Sequence, residues 1–434
     1  MTFKEKLDAT LNIKFDKAFG LDISDRSVEI MEMSKVFTFA VDTYGRAELP
    51  AGIIENGVIL NKDILVESIK KLLKGIKPRK ISTNKVVLSL PESQVFTHSF
   101  VVDLKVKNSE LLRVINDEVS SILPVSLNKM YWDFEAKNLP DNKTKLIMFV
   151  GVAKEIAQDY VKLCNSIGLE VVSLSLESFS VARAILKKSD KQSLIIDIGS
   201  KTSSIAIFDS NDRIALSVNV PVAGENFTKA IAAAQKISDQ DAEALKIKWG
   251  FKKDAKNPVE PIIEPILIKE ILIEVKTAMD YYEAHFKQNV DQIYLVGGSS
   301  MLPGIAEVVK NTLSKQLQII FVGDVLKLKT LSDRSGEVAL FANVIGLAMF
   351  GASGGYRDIN LLNKMPSSEV NVVNKLSLFN MGYLSKVNAL RSIIDNKFVL
   401  VVVVLAILVV FAVLTQQIFE INGLKDPIST MFGL

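Results

Sequence analysis

Residues 194–208 have the sequence Leu194-Ile-Ile-Asp-Ile-Gly-Ser-Lys-Thr-Ser-Ser-Ile-Ala-Ile-Phe208: an apolar strand, a tight turn from Asp197 to Thr202, and a second apolar strand. Gly199 allows close approach to the backbone, and successive N–H groups in such a turn form a concavity that binds anions. An acidic residue at the end of a buried strand, followed by glycine and small hydroxyl residues, therefore predicts a turn that wraps a phosphate.

The same pattern occurs once earlier, in Phe19-Gly-Leu-Asp-Ile-Ser-Asp-Arg-Ser-Val-Glu-Ile30. Asp22 corresponds to Asp197, and Ser27 corresponds to Thr202. Two copies of a phosphate-turn hairpin predict a duplicated α/β unit that closes on one nucleotide.

A glycine pair provides a third indication of a nucleotide site. Val296-Gly297-Gly298-Ser299 ends an apolar strand and precedes Pro303-Gly304 and a helix. Glycines at this place let a flat base or a ribose approach the backbone. Taken alone, the pattern is more often an ordinary turn between a strand and a helix. Following two aspartate-containing hairpins, it supports a nucleotide cleft.

Composition narrows the classes of protein and site. The chain has 434 residues, enough for two or three domains with sizeable cores. A net charge of +3 gives no general electrostatic reason to expect nucleic-acid binding. One cysteine, Cys164, excludes an internal disulfide, and two histidines argue against a zinc site or a histidine-based catalytic triad.

The order of strand and helix patterns predicts the domain organisation. We expect a first α/β half at residues 17–91 and 169–190, interrupted at 92–168 by a small α+β subdomain of order strand–helix–strand–strand–helix. A second half follows at 191–350. From Gly351 the composition shifts to Gly, Ser and Asn, which predicts a linker at 351–397.

An apolar run at 398–419 predicts one transmembrane helix, because about 20 apolar residues span a bilayer and no strand is this long. Several basic residues precede the run and only Lys425 follows it; those preceding it are Lys375, Lys386, Arg391 and Lys397. The positive-inside rule then places the body in the cytoplasm and a short tail, 420–434, outside.

These features together resemble the actin/Hsp70/sugar-kinase superfamily, and within it the PilM family of type IV pilus assembly, with FtsA-type division proteins more distant. The resemblance covers about residues 18–350. It rests on Phe19-Gly-Leu-Asp22, Leu49-Pro-Ala-Gly-Ile-Ile-Glu-Asn-Gly57, Val87-Leu-Ser-Leu-Pro-Glu-Ser-Gln-Val-Phe96, Leu176-Glu-Ser-Phe179 with Ala182-Arg-Ala184, and Val296-Gly-Gly-Ser-Ser-Met-Leu-Pro-Gly304.

The resemblance implies an actin-like fold of two ribonuclease-H-like α/β halves around a cleft for ATP and Mg²⁺. Asp22 and Asp197 would hold Mg²⁺ through waters, because Mg²⁺ keeps much of its hydration shell. Glu243 and Lys246 could contact ribose or base; alternatively, they are a solvated i, i+3 pair. Phosphates would be held by the turns at Ser24–Ser27 and at Gly199, Ser200, Lys201 and Thr202, and adenosine by Gly297, Gly298 and Ser299.

Both turns also depart from the family pattern. The first has Ser24, Asp25 and Arg26 where glycine and small hydroxyl residues are usual, and a carboxylate at Asp25 opposes phosphate unless Mg²⁺ or Arg26 neutralises it. Lys201 occupies a position where a small residue is common. No residue is evident that would position an attacking water. We therefore expect nucleotide binding with slow or absent hydrolysis and assign no catalytic residue.

Within the linker, Ile359-Asn-Leu-Leu362 resembles the short cytoplasmic N-terminal motif of PilN, the membrane partner of PilM proteins. Here the motif, basic residues and membrane helix are on one chain, a layout that also resembles the inner-membrane L protein of type II secretion. We hypothesise that Asp358 to Asn363 docks beside the inserted subdomain, in cis or onto a neighbouring copy. The alternative is a fortuitous apolar patch.

The expected function is a membrane-anchored actin-like ATP-binding scaffold of the type IV pilus platform at the inner membrane. The resemblance implies PilN- and PilO-type partners, a possible homo-oligomer and no nucleic acid. Alternatives are an FtsA-like polymerising division ATPase, an L-like platform protein of type II secretion, and a small-molecule kinase, for which no catalytic base is evident.

Overall fold

The computed structural model describes residues 17–35, 39–139, 141, 143–186, 191–210, 213–314, 317–321, 338–353 and 359–366. The predicted membrane span at 398–419 and the tail at 420–434 lie outside these ranges. Within them, no helix is both long enough and apolar enough to cross a bilayer.

The chain enters the first half through an antiparallel hairpin. Strand β1 is buried along its whole length because it lies in the middle of the sheet. Strand β3 extends to Glu48 because it pairs with β2 throughout. The elements are β1 (Phe19–Ile23), β2 (Ser27–Lys35), β3 (Phe39–Glu48), β4 (Ile54–Glu55), β5 (Val58–Ile59), α1 (Lys62–Gly75) and β6 (Lys85–Leu90).

Residues 92–168 form a separate layer of structure. A three-stranded antiparallel sheet of order β7-β9-β8 carries a helix whose apolar residues Leu111, Ile115 and Val119 pack on Ile147 and Phe149. The elements are β7 (Val95–Asp103), α2 (Asn108–Val119), β8 (Met130–Asn138), β9 (Thr144–Ala153) and α3 (Lys154–Ser166).

Strand β10 (Glu170–Leu176) and helix α4 (Glu177–Ile185) return the chain to the first half. The first sheet has the order β10-β6-β1-β2-β3, with β1, β6 and β10 parallel and the hairpin strands antiparallel.

The second half repeats this arrangement. Its sheet has the order β13-β12-β11-β14-β15, again with one antiparallel hairpin strand pair beside three parallel strands. A π-helical segment, Leu267–Leu272, joins two α-helices, Glu260–Ile266 and Ile273–Phe286, into one long helical stretch. The elements are β11 (Ser193–Ile198), β12 (Ser203–Phe208), β13 (Ile214–Val220), α5 (Gly224–Gln235), α6 (Asp239–Trp249), α7 (Glu260–Ile266), α8 (Ile273–Phe286), β14 (Gln292–Val296), α9 (Ile305–Leu313) and β15 (Gln318–Phe321).

Helix α10 (Ala342–Ser353) differs from the predicted organisation. The sequence assigns residues up to 350 to the second half, but α10 packs on the first half, and its apolar residues share a core with Phe19 and Leu21. Close approach makes this possible. A Cβ at Gly346 would lie 1.7 Å from the carbonyl oxygen of Ser180 in α4, and one at Gly20 would lie 2.8 Å from the backbone nitrogen of Ala348.

Candidate functional site

The two hairpin turns, the glycine pair and helix α6 line one cleft of about 830 Å³ between the halves. Every residue that the sequence predicts to contact nucleotide or metal lies on its wall. They are Asp22, Ser24, Ser27, Asp197, Gly199, Ser200, Lys201, Thr202, Glu243, Lys246, Gly297, Gly298 and Ser299. Their contacts with a ligand stay a prediction.

The second turn is tied to two other parts of the chain. The N–H of Gly199 donates to Thr202 O at 3.1 Å and closes the turn. Gly199 O in turn accepts from Gly224 N at 3.2 Å and from Ser299 Oγ at 3.2 Å. The turn, the start of α5 and the glycine pair are therefore held in one fixed arrangement.

The first turn closes on its own serines. Ser24 N donates to Ser27 O at 2.9 Å, and Ser24 Oγ accepts from Ser27 N at 3.2 Å. Asp25 is directed toward the β4–β5 turn, where its carboxylate accepts the N–H groups of Asn56 and Gly57, both at 2.8 Å. Backbone amides thus hold the charge that the sequence expected Mg²⁺ or Arg26 to neutralise.

Arg26 and Lys201 both pair with residues on the opposite side of the cleft. The guanidinium of Arg26 contacts Glu225 of α5 at 2.6 Å. Lys201 Nζ lies 2.7 Å from Glu55 and 3.6 Å from Asp25, both in the first half.

Carboxylates gather on the floor of the cleft. Asp22 Oδ1 accepts from Ser89 Oγ at 3.1 Å. Burial, and then the charges of Asp22 and Glu92, raise the pKa of Asp197 to about 7. Burial, reinforced by the neighbouring carboxylates, also raises the pKa of Glu177 well above its usual value. Glu92 is 2% exposed, and its Oε1 has no hydrogen-bond partner among the described residues.

The sequence reasoning missed Glu92 and Glu177. The signal lay in their position, since Glu92 follows β6 by two residues and Glu177 directly follows β10. Carboxyl ends of parallel strands gather at one edge of a sheet, where ligands bind. Among the described residues, no group of three or more Asp, Glu, His or Cys side chains is arranged to hold a metal ion directly. A cation at Asp22 and Asp197 would therefore need water ligands.

The wall of the cleft that the sequence predicts to face the nucleoside is built on Gly297 and Lys246. Gly297 has φ +82°, and a Cβ there would lie 2.3 Å from Asp197 Oδ1, so only glycine fits. The residues after it form a short 3₁₀ helix, Gly298–Met301, before α9 begins. Lys246 is 5% exposed and donates to Gly224 O at 3.0 Å. Its ion pair with Glu243, at 2.7 Å, is therefore shielded on the lysine side, whereas the Glu243 side chain is 45% exposed.

A second site lies beside β10, the edge strand of the first sheet. We name the surface formed by β10 and β8 the docking groove. A short 3₁₀ helix, Leu361–Lys364, contacts both strands within the same chain. Ile359, Leu361, Leu362 and Met365 are buried against the core of the first half. Burial of this extent argues against a fortuitous apolar patch. Asp358 lies outside the described residues.

We call Ile359 to Met365 the docked segment. Asn360 makes most of its polar contacts with strand β10. Its Oδ1 accepts from Leu174 N at 3.0 Å and from Leu362 N at 3.1 Å, and its Nδ2 donates to Val172 O at 3.5 Å. Lys364 adds an ion pair with Asp133 of β8 at 3.2 Å.

Two α/β halves of the same strand order, closing on a shared acidic cleft and carrying a subdomain inserted in the first half, define an actin-like protein. Residues 20–351 match the family model of the type IV pilus assembly protein PilM. The chain belongs to that family, as the sequence predicts.

Individual relatives are distant. A solved PilM-PilN type IV pilus biogenesis complex contains a similar chain that is 22% identical, with a TM-score of 0.65, covering 77% of this chain and 98% of that one. The cell division protein FtsA of Pseudomonas aeruginosa is 22% identical over 379 residues, 76% of this chain and 88% of FtsA. FtsA of Bacillus subtilis is 22% identical over 300 residues, 61% of this chain and 59% of that protein.

Proposed function

We propose that this protein is a membrane-anchored actin-like scaffold of the type IV pilus assembly platform at the inner membrane, and that it carries its own PilN-type peptide. The observation that carries the proposal is the docked segment, in which Ile359, Leu361, Leu362 and Met365 are buried on the first half and Asn360 bonds to strand β10. Membership of the PilM family supports the assignment to type IV pilus assembly.

The docked segment is a site of attachment. It is followed in sequence by the rest of the predicted linker and then by the predicted span at 398–419. A segment bound in cis would transmit force or position between the membrane and the inserted subdomain, whose β8 it contacts. PilN- and PilO-type proteins would then bind this chain at surfaces outside the one that its own docked segment occupies.

The cleft fits ATP with Mg²⁺. A volume of about 830 Å³ lies within the range of small-molecule sites. Asp22 and Asp197 would hold the hydrated ion, the turns at Ser24–Ser27 and Gly199–Thr202 would face phosphates, and Gly297–Ser299 with Glu243 and Lys246 would face the nucleoside. Bound Mg²⁺ would neutralise phosphate charge beside an acidic floor. The role assigned to the nucleotide is structural, with slow or absent hydrolysis.

Replacement of Leu361 and Leu362 by Asp tests the docking. We expect amide hydrogen exchange at Val172–Ser175 to rise by about tenfold or more, because two buried side chains become charged and leave the groove. Asn363→Asp, at an exposed neighbouring position, is the matched control. Unchanged exchange in the double variant would refute the docked segment.

Deletion of residues 398–419 tests the anchor. The intact chain should sediment with membranes and resist carbonate extraction, whereas the deletion variant should become extractable. Carbonate resistance of the deletion variant would rule out this segment as the anchor.

An FtsA-like polymerising ATPase is the second candidate, favoured by the similarity to FtsA over 379 residues. Sedimentation of ATP-dependent filaments would support it over the pilus scaffold. Steady-state turnover well above about one per second, the range of working enzymes, would contradict a scaffold role.

A further inference from the structure

Two ion pairs cross the mouth of the cleft, and both use residues that depart from the phosphate-turn pattern. Arg26 Nε, in the first turn, donates to Glu225 at 2.6 Å. Glu225 lies in the first turn of α5, in the second half. Lys201, in the second turn, donates to Glu55 of the first half at 2.7 Å. Each phosphate turn therefore reaches across to the opposite half.

Lys201 has a second, well-fixed carboxylate nearby. Asp25 lies 3.6 Å from Lys201 Nζ, and the side chains of Lys201 and Asp25 are only 16% and 10% exposed. Two backbone N–H groups, those of Asn56 and Gly57, hold the Asp25 carboxylate in place. Partly buried pairs are screened by salt less than fully exposed ones, so this contact retains more of its attraction.

We propose that these two bridges hold the halves closed without a nucleotide, and that nucleotide phosphates compete with Glu225 and Glu55 for Arg26 and Lys201. A ligand closes a cleft by binding the closed state better than the open one. Here charged side chains of the protein itself, on both walls of the cleft, provide the attraction that a ligand would otherwise provide. Closure by the bridges needs no ligand, whereas the competition rests on the nucleotide site proposed above.

The distance between the halves tests the closure. Spin labels at Lys62→Cys and Lys252→Cys, on exposed positions of opposite halves, report it in the full chain in detergent. Cys164 is buried and stays unlabelled. Without nucleotide, combined Arg26→Gln and Lys201→Gln should add a longer distance, with the open fraction rising about threefold per bridge, as expected for partly exposed pairs.

The control is Lys253→Gln, which removes contacts to Glu260 and Glu264 within the second half. Its distance distribution should match that of the parent protein. Identical distances in the bridge variant and the control would overturn the closure.

Calorimetry with ATP and Mg²⁺ tests the competition. Glu225→Gln frees Arg26 and should raise the affinity for ATP with Mg²⁺ about threefold, the effect expected when a partly exposed ion pair no longer competes. Arg26→Gln should not raise this affinity. Glu48→Gln is the control, because it also removes a cleft carboxylate, one that contacts Arg46 within the first half at 3.4 Å. Equal gains for Glu225→Gln and Glu48→Gln would overturn the competition. Absence of binding in every form would overturn both the nucleotide site and the competition, while the distance measurement still decides the closure.

Discussion

Asn360 caps the open edge of strand β10: its side chain accepts the N–H of Leu174 at 3.0 Å and donates to the carbonyl of Val172 at 3.5 Å. Strand β10 is the last strand of the first sheet. Backbone groups at such an edge need partners when they are shielded from water. A single amide side chain supplies one acceptor and one donor, so docking satisfies the sheet edge as well as fastening the segment.

Asn360→Ala should release the docked segment. The substitution leaves the N–H of Leu174 without its partner, at a cost of about 1 to 3 kcal/mol. Hydrogen exchange of Leu174 should therefore accelerate. Asn363→Ala, at an exposed position one turn away, should leave this exchange unchanged. Equal exchange in the two variants would contradict a role for the Asn360 amide.

Gly346→Ala should destabilise the first half strongly. The added Cβ would lie 1.7 Å from Ser180 O, so α10 must move away from α4. We expect a loss of about 3 kcal/mol in the free energy of unfolding, at the upper end for overpacking. Urea unfolding measures it.

Gly75→Ala is the control for that measurement, because no atom in the described part of the chain lies within 4 Å of the added Cβ. A change within about 0.5 kcal/mol is expected there. If both variants unfold at the same urea concentration, the close packing of α10 on α4 is wrong.

Gly199→Val should weaken binding of ATP with Mg²⁺ about tenfold, or about 1.4 kcal/mol. A Cβ at Gly199 would lie 3.0 Å from Thr202 O and would open the turn that these two residues close. Ser24→Gly should change affinity less, because the Ser24 hydroxyl bonds within its own turn. Calorimetry that shows no loss for Gly199→Val would mean that the second turn does not bind phosphate.

The contribution of Asp197 to the stability of the nucleotide-free protein should fall as pH rises. Burial raises the pKa of Asp197 from 3.8 to about 7, so the folded state retains a proton that the unfolded chain releases. This contribution is complete below about pH 4 and is lost as pH approaches 7. Asp197→Asn, which cannot ionise, should be more stable than the parent protein at pH 8 by on the order of 2 kcal/mol, and by less at pH 5.

Urea unfolding at pH 5 and pH 8 measures this difference. Asp239→Asn, at an exposed position on the rim of the cleft, is the matched control and should show the same small effect at both pH values. An Asp197→Asn effect that is independent of pH would contradict the raised pKa of Asp197.

Local patterns in the sequence were sufficient for the general architecture. Alternating apolar strands around an aspartate-containing turn predict both hairpins, and the antiparallel pairings of β1 with β2 and of β11 with β12 confirm them. The duplicated order of motifs predicts two α/β halves, and the resemblance to PilM motifs such as the one at residues 49–57 predicts the family; both are confirmed. The span at 398–419 stays a prediction.

Contacts between distant parts of the chain required the tertiary structure. The return of α10 to the first half depends on close approach at Gly20 and Gly346, which periodicity cannot show because any apolar helix could pack on either half. Glu92 and Glu177 enter the cleft because their strands end at the same edge of one sheet.

Residues 194–208 and their earlier copy determined, by local pattern alone, that the chain has two aspartate-containing hairpin turns, and they predict that both turns bind phosphate. Only the tertiary structure decided what the unusual residues of those turns do. Arg26 and Glu225 are 199 positions apart, and their pairing depends on how the two sheets are set against each other. That orientation is a property of the packed cores, so no local pattern encodes which charges meet across the cleft.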